Sequence, residues 1–465
     1  MSGGSSPRDY RSAAARSIAE RPTVRAAVTS ATDHSNVNRG RAYAAIDSDR
    51  WRDWARDTKT HLLTHLDRYL EQAEASLVRN GVQVHWADTA NDALGALRDI
   101  VLEHGLKRAI KGKSMLTEEL GVNAHLESLG VHVREADLGE YIVQLLGEPP
   151  THIVGPAIHK SLEDCQRLFH ERFGTALDAD PDTLARAARA VLREEFLSAD
   201  LGISGANFLA ADTGTLALIE NEGNIRLSTS LPRVHVAFVG IEKLVPRLED
   251  VAGFVQLTTR ASTGQPIGNY VSLIQGPRRA GEVDGPEEVH VVFVDNGRTR
   301  LLADEVAWEA LRCVRCGACL NICPVYRQTG GHAYGWTYSG PIGAIIAPAL
   351  LGLEESMPLP FASTLCGACA DACPVRIPIP DLLLHWRERA VEAGLTSTSE
   401  AVGLSAFTKA AEHPALFAAA GTLLRWVPWR AGGRALPVLG GWMQERSAPE
   451  PSPRSFHALW KDGIE

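Results

Sequence analysis

Seven of the chain's eight cysteines lie between Cys313 and Cys373, and no other feature of the sequence narrows the fold as much. The first run is Cys313, Cys316, Cys319, Cys323 and Pro324; the second is Cys366, Cys369, Cys373 and Pro374. The first has the C-x2-C-x2-C-x3-C-P spacing in which three close thiolates hold one iron–sulfur cluster and the fourth crosses to another. Cluster iron is soft enough to prefer thiolate, and ligands spaced this closely on a tight turn converge on one face of a cube. Gly317 and Gly367 follow Cys316 and Cys366, where a residue without Cβ lets the backbone wrap closely. Pro324 and Pro374 fix φ and end the turns. Zinc ribbons also use C-x2-C pairs, but seven cysteines in two such runs do not divide into tetrahedral zinc sites.

Aligned on their terminal Cys-Pro, the runs differ at one place: Ser363 stands where the second run would begin with cysteine. Under crossed ligation, Cys313, Cys316, Cys319 and Cys373 make a complete four-thiolate set for a 4Fe–4S cluster. Cys323, Cys366 and Cys369 make the other set. Three thiolates suit a 3Fe–4S cluster, or a 4Fe–4S cluster whose last iron takes Ser363, another side chain, water or a partner's ligand. The expected cofactors are thus two iron–sulfur clusters, with these seven cysteines as the metal ligands.

The length of 465 residues suggests two to four domains. A formal charge of −9 argues against nucleic acid as a partner, because such binders carry a basic footprint. Clustered, reduced cysteines place the chain in the cytoplasm. The N-terminal MSGGSSPRDYRSAAARSIAERP has no apolar core and is not a secretory signal; it reads as a mobile or partner-docking arm.

Residues 40 to 80 read as helix, capped by Asp47 or Ser48, with Trp51, Trp54, Leu62, Leu66 and Leu70 at helical spacing. From residue 82 the period changes. Val82, Val84 and Trp86 alternate as a strand, 93 to 103 reads as helix, 110 to 117 as a short strand and turn, and 124 to 129 as helix. Val131 and Val133 alternate again, followed by the apolar segments 142 to 146 and 151 to 154. Alternation at this length indicates βαβ units and a largely parallel sheet.

Within that α/β domain, residues 205 to 246 carry the most polar chemistry. Asp212, Thr213 and Gly214 form a turn before a strand over 216 to 219 that ends in Glu220, Asn221, Glu222 and Gly223. Ligands in open α/β sheets sit beyond the carboxyl ends of strands, so the polar cluster from Glu220, with Arg226, Arg233 and His235 supplying positive charge, is a candidate site. The plainer reading makes 221 to 224 hairpin turn chemistry. Gly112, Lys113 and Ser114 end like a P-loop, but no glycine stands at the required spacing. There is no G-x-G-x-x-G and no H-E-x-x-H. Cys165 reads as a small buried hydrophobe, and His159 and Lys160 as a solvated helix start. With no flavin or nicotinamide fingerprint, the chain suits relay of single electrons better than hydride abstraction; its catalytic residues are unknown.

The stretches KSMLTEE from Lys113, ADLGEYIVQL at 136–145 and THIVGPAIHKS at 151–161 resemble the lactate-utilization domain, as does the 205–246 block. Together with CVRCGACLNICPVY, STLCGACADACPV and YSGPIG at 338–343, the chain resembles the lactate utilization protein B family from about residue 60 to SFHALWK at 455–461. The resemblance implies an α/β lactate-utilization domain of the sugar-isomerase and CoA-transferase type, then an α-helical ferredoxin-like domain and a helical C-terminal region. The divisions expected are 1–60 for an N-terminal arm and helix, 61–300, 301–385 and 386–465. It implies an iron–sulfur subunit of an L-lactate oxidation complex, whose partners are the other subunits and a downstream electron carrier. The alternatives are that the α/β domain itself binds and oxidises a 2-hydroxy acid, or that the clusters are structural in an interaction protein.

The segment 326–360 is long for a compact ferredoxin and suits clusters held between helices. Residues 381–393 read as an amphipathic helix with Leu382, Leu383 and Trp386 on one side. The run 414–424 is too short to span a bilayer. Arg425, Trp426, Trp429, Arg430, Arg434 and Trp442 combine cations and aromatics, which suits subunit docking first and peripheral contact with the inner face of a membrane second.

Overall fold

The computed structural model describes residues 6–20, 22–424 and 452–463. The chain divides into two units, Met1–Ala390 and Val391–Glu465.

In the first unit, strands β1 (Gln83–Ala87), β2 (Arg108–Lys111), β3 (His132–Glu135), β4 (Leu201–Ser204), β7 (Val234–Gly240) and β10 (Glu288–Val294) form one sheet in the order β1-β10-β7-β4-β2-β3, every pairing parallel. β7 is buried along its whole length, as expected for a strand covered on both faces. The helix Ala90–His104 begins at a Thr89 capping box and stops at Gly105, whose φ of 61° needs no Cβ. A second sheet, β8-β5-β6-β9, is built from β8 (Leu244–Val245), β5 (Phe208–Ala210), β6 (Thr215–Glu220) and β9 (Tyr270–Ile274). Asp212–Gly214 turn the chain between β5 and β6, which pair antiparallel.

Several segments differ in type from their sequence reading. Residues 142–146 belong to the helix Leu138–Leu146, started by the Asp137 carboxylate accepting from the Glu140 N–H at 3.0 Å. Residues 221–224 are not a hairpin: Gly223, at φ 79°, opens the helix Asn224–Ser230. His159 is buried rather than solvated, its Nε2 2.8 Å from a Glu148 carboxylate oxygen. The 40–80 helix is three helices, Pro22–Ala44, Ser48–Thr64 and Leu66–Arg79, broken around Asp47 and His65. Cys165 is half-buried and packs in a small apolar cluster around Phe169.

The N-terminal arm is ordered against its own cysteine domain. Tyr10 is buried, with its ring 5.1 Å from that of Tyr334. Ser17 Oγ donates to the Thr329 carbonyl at 2.7 Å, and Asn36 Nδ2 to the Asn321 carbonyl at 2.8 Å. Tyr10, Ala13 and Ala14, within the stretch read as a mobile arm, supply the face that packs.

The cysteine domain is a set of short helices, among them Ala318–Ile322, Pro324–Thr329, Gly340–Leu350 and Ala368–Ala372. It closes with Ile379–Glu392, which runs across the 385/386 division because Leu382, Leu383, Trp386 and Ala390 are all buried. Residues 151–154 join the two domains without forming a strand: the Thr151 carbonyl accepts from the Tyr326 hydroxyl at 2.8 Å, and Thr151 Oγ1 from the Gly331 N–H at 3.1 Å.

In the second unit the described helices are Thr398–Glu412, Pro414–Leu424 and Phe456–Lys461, the last capped by Ser455. The Arg and Trp group from Arg425 to Trp442 lies outside the described residues. Among the described residues, no helix is long and apolar enough to cross a membrane.

Candidate iron–sulfur centre and the adjoining cavity

The two cysteine runs fold as a repeat. Gly317 and Gly367 occupy the left-handed region at φ 76° and 83°, opening the helices that carry Cys319 and Cys369. Cys313, Cys316, Cys319 and Cys373 line a single small cavity with Val314, Ile342 and Ile377. The fourth thiol therefore comes from the second run. Cys323, Cys366 and Cys369 form the other neighbourhood, close enough that the charges of Cys323 and Cys366 act on Cys369. Of these three, Cys366 is exposed while Cys323 and Cys369 are buried.

The thiol environment suits bound iron. Backbone N–H groups of Arg315, Tyr326 and Ile377 donate to the sulfurs of Cys313, Cys323 and Cys373 at 3.3, 3.5 and 3.4 Å. Such bonds favour thiolate. Burial works in the opposite sense: it pushes the Cys369 thiol up to about 12 and raises those of Cys316, Cys319 and Cys373. A buried set of thiols with N–H donors becomes ionised when a cation shares the site, as cluster iron does. Ser363 Oγ, at the place of the absent cysteine, accepts from the Leu365 N–H at 3.1 Å. The second run is anchored from outside by Arg52, whose guanidinium donates to the carbonyls of Cys373 at 3.0 Å and Asp371 at 2.7 Å.

Against this thiol-lined cavity lies a larger one of about 290 Å³, beyond the carboxyl ends of β2, β4, β7 and β10. Lys113, Ser114, Gly205, Glu242 and Lys243 reach it from those strand ends, and Arg315, Cys316 and Tyr338 close it from the cysteine domain. Its floor is an ion-pair network. Arg298 is fully buried and bonds Glu119 at 2.8 Å and Glu242 at 2.7 Å; the Tyr338 hydroxyl donates to Glu119 at 2.8 Å. Burial alone would raise the Glu242 carboxyl, but the guanidiniums of Arg298 and Arg315 hold it down at about 2. Burial lowers the Lys243 ammonium to about 8 and lowers Lys113 as well. Burial and Asp137 raise Glu222, which also lines the cavity, to about 7.

A lactate-utilization (LUD) domain model matches residues 70–294, a 4Fe–4S dicluster domain model matches 309–377, and a model described as lactate utilisation protein B, C-terminal, matches 390–463. The chain is 42% identical over 450 residues to lactate utilization protein B of Bacillus licheniformis, covering 94% of each chain. It belongs to the lactate utilization protein B family. Another member of similar likeness is lactate utilization protein B of Shouchella clausii, 42% identical over 446 residues and 94% of each chain. An Escherichia coli relative named uncharacterized electron transport protein YkgF is 41% identical over 450 residues, 95% of this chain and 94% of that one. The LUD domain, the ferredoxin-type cysteine domain and the helical C-terminal region expected from sequence are thus its architecture, and it is an iron–sulfur protein.

The cavity takes in part of the stretch singled out in the sequence: Glu220, Asn221, Glu222 and Asn224 line it. Of Glu220, Arg226 and His235, only Glu220 lines it. The Glu220 carboxylate accepts from the N–H groups of Ile225 and Arg226 at 2.6 and 2.9 Å, capping the helix Asn224–Ser230. Arg226 instead lies over the Tyr270 ring at 5.1 Å and donates to Ser272 Oγ at 3.3 Å. His235 is buried in β7, 2.8 Å from Ser204 Oγ. Lys113, Lys243, Arg298 and Arg315 were missed because no local motif joins them. Their one common signal is that three stand just after a strand end.

Proposed function

We propose that this chain is the iron–sulfur electron-transfer subunit of a cytoplasmic L-lactate oxidation complex, relaying electrons from a partner subunit towards a downstream carrier. The observation that carries the reading is the convergence of Cys313, Cys316, Cys319 and Cys373 from two runs on one cavity. We assign them to one 4Fe–4S cluster and Cys323, Cys366 and Cys369 to a second. Bound there, the clusters supply one-electron redox chemistry. The protein's own part is to supply thiolate ligands, to donate backbone hydrogen bonds to three of them, and to shield the first set with apolar side chains. The lactate assignment is supported by the names of the relatives.

The test is anaerobic iron and sulfide quantification with EPR before and after dithionite. About seven or eight irons per chain, with signals that appear and disappear reversibly, is the expected result for two clusters. Zinc in place of iron overturns the reading. Clusters that cannot be reduced and reoxidised reversibly would leave them structural.

A further inference from the structure

The cavity of about 290 Å³ between the LUD domain and the first thiol set has cationic groups that the fold leaves unsatisfied. Lys113 Nζ is buried with no hydrogen-bond partner, and the nearest carboxylate oxygen, on Glu140, is 4.0 Å away. Arg315 Nη1 is likewise buried without a hydrogen-bond partner, on a side chain only 9% exposed whose guanidinium lies over the Tyr338 ring at 4.5 Å. Its other amino group reaches Glu242 at 3.5 Å, longer than a good hydrogen bond. The Lys243 ammonium shares this wall. Cations buried without hydrogen bonds cost free energy that a folded domain normally avoids by pairing them, and here the groups face one space from three chain segments. An oxyanion placed there would satisfy them.

Glu222 and Asn224 line the same cavity. The Glu222 carboxyl, raised by burial and Asp137 and lowered in part by Lys113, is poised to share a proton with a ligand hydroxyl. The volume sits just under the ~300 Å³ lower end of small-molecule sites. It admits a small organic acid with its water and is too small for a dinucleotide. We propose that this seam cavity is a binding site for a small hydroxy acid, its oxyanion held by Lys113, Lys243 and Arg315 and its hydroxyl turned to the Glu222 side. Cys316 lines the same cavity, so a bound acid lies beside the first thiol set. That placement rests on the proposed cluster assignment; the binding itself does not.

The experiment is titration calorimetry on the anaerobic full-length chain, with L-lactate and inorganic phosphate as separate probes and iron content measured on every sample. L-Lactate should bind, and Lys243→Gln and Arg315→Lys should each weaken it by about ten-fold, the loss of one charge-assisted hydrogen bond. The EPR spectrum of the reduced protein should shift when L-lactate is added to wild type and stay unchanged in Lys243→Gln. Loss of binding in Arg226→Ala but not in these variants, or no isotherm with iron present, overturns the site. Binding of phosphate alone overturns the hydroxy-acid class. An isotherm that persists in a sample holding zinc overturns the cluster assignment while leaving the site.

Discussion

Ser363 occupies the same turn as Cys313. In both runs the side chain at this position accepts a hydrogen bond from the N–H two residues on, Arg315 to Cys313 Sγ at 3.3 Å and Leu365 to Ser363 Oγ at 3.1 Å. Both donors take the left-handed backbone, at φ 59° and 55°, that residues with a Cβ rarely adopt. The second run is therefore built like the first, with oxygen in place of sulfur.

From this follows the effect of Ser363→Cys. A thiolate in the same turn completes a four-cysteine set with Cys323, Cys366 and Cys369. Iron should then reach about eight per chain, with any oxidised-state signal of a three-iron cluster abolished. Iron and EPR unchanged from wild type would mean that this turn does not face the second cluster.

Arg52→Ala should release the second run. It removes the guanidinium that ties the carbonyls of Cys373 and Asp371 to the N-terminal helices, a loss of about 1.5–3 kcal/mol for a hydrogen bond to a charged group. Iron should leave the variant to a chelator faster than it leaves wild type. Equal rates would show that the proline-ended turn holds its shape alone.

Arg298→Met should be the most damaging single change at the seam. It leaves the buried Glu119 carboxylate without its cation and Glu242 with Arg315 alone at 3.5 Å, and breaking a buried pair from one side costs about 3–5 kcal/mol. Tyr338→Phe removes only the hydroxyl on Glu119 and should cost about 1 kcal/mol. Urea unfolding of the two variants separates the effects; equal midpoints would show that the network adds nothing beyond the tyrosine.

How much of this was legible beforehand differs from element to element. The cysteine runs carry their chemistry in spacing, so the ligands stood out without a fold. β1, β6 and the helix Ala90–His104 stood out because their periodicity and caps are local. The site cations did not. Lys113 and Lys243 are 130 residues apart in a chain whose parallel strands bring their ends together only after folding, and Arg315 was hidden among cysteines whose spacing explained the stretch without it. His235 misled for the converse reason: a histidine in a strand looks chemical until the strand proves to be buried on both faces. The arm has few large apolar residues at regular spacing, and Tyr10, Ala13 and Ala14 are buried because the cysteine domain offers them a surface.

Lys59 gives the fold a pH dependence of known sign. It is buried, and its ammonium donates to the carbonyls of Glu242 and of Leu244, the latter at 3.2 Å. Burial lowers it to about 7, against ~10.4 for a lysine in the unfolded chain. Between these values the unfolded chain holds a proton that the folded one has lost, so stability rises with pH. Lys243, lowered to about 8, acts in the same sense over a narrower window. Lys59→Met deletes the larger part. The gap in unfolding free energy between wild type and variant should move in favour of wild type from pH 7.5 to 9, by up to ~1.4 kcal/mol per pH unit. A gap that stays constant over that range would mean that Lys59 keeps its proton in the folded protein, held by the Glu242 and Leu244 carbonyls.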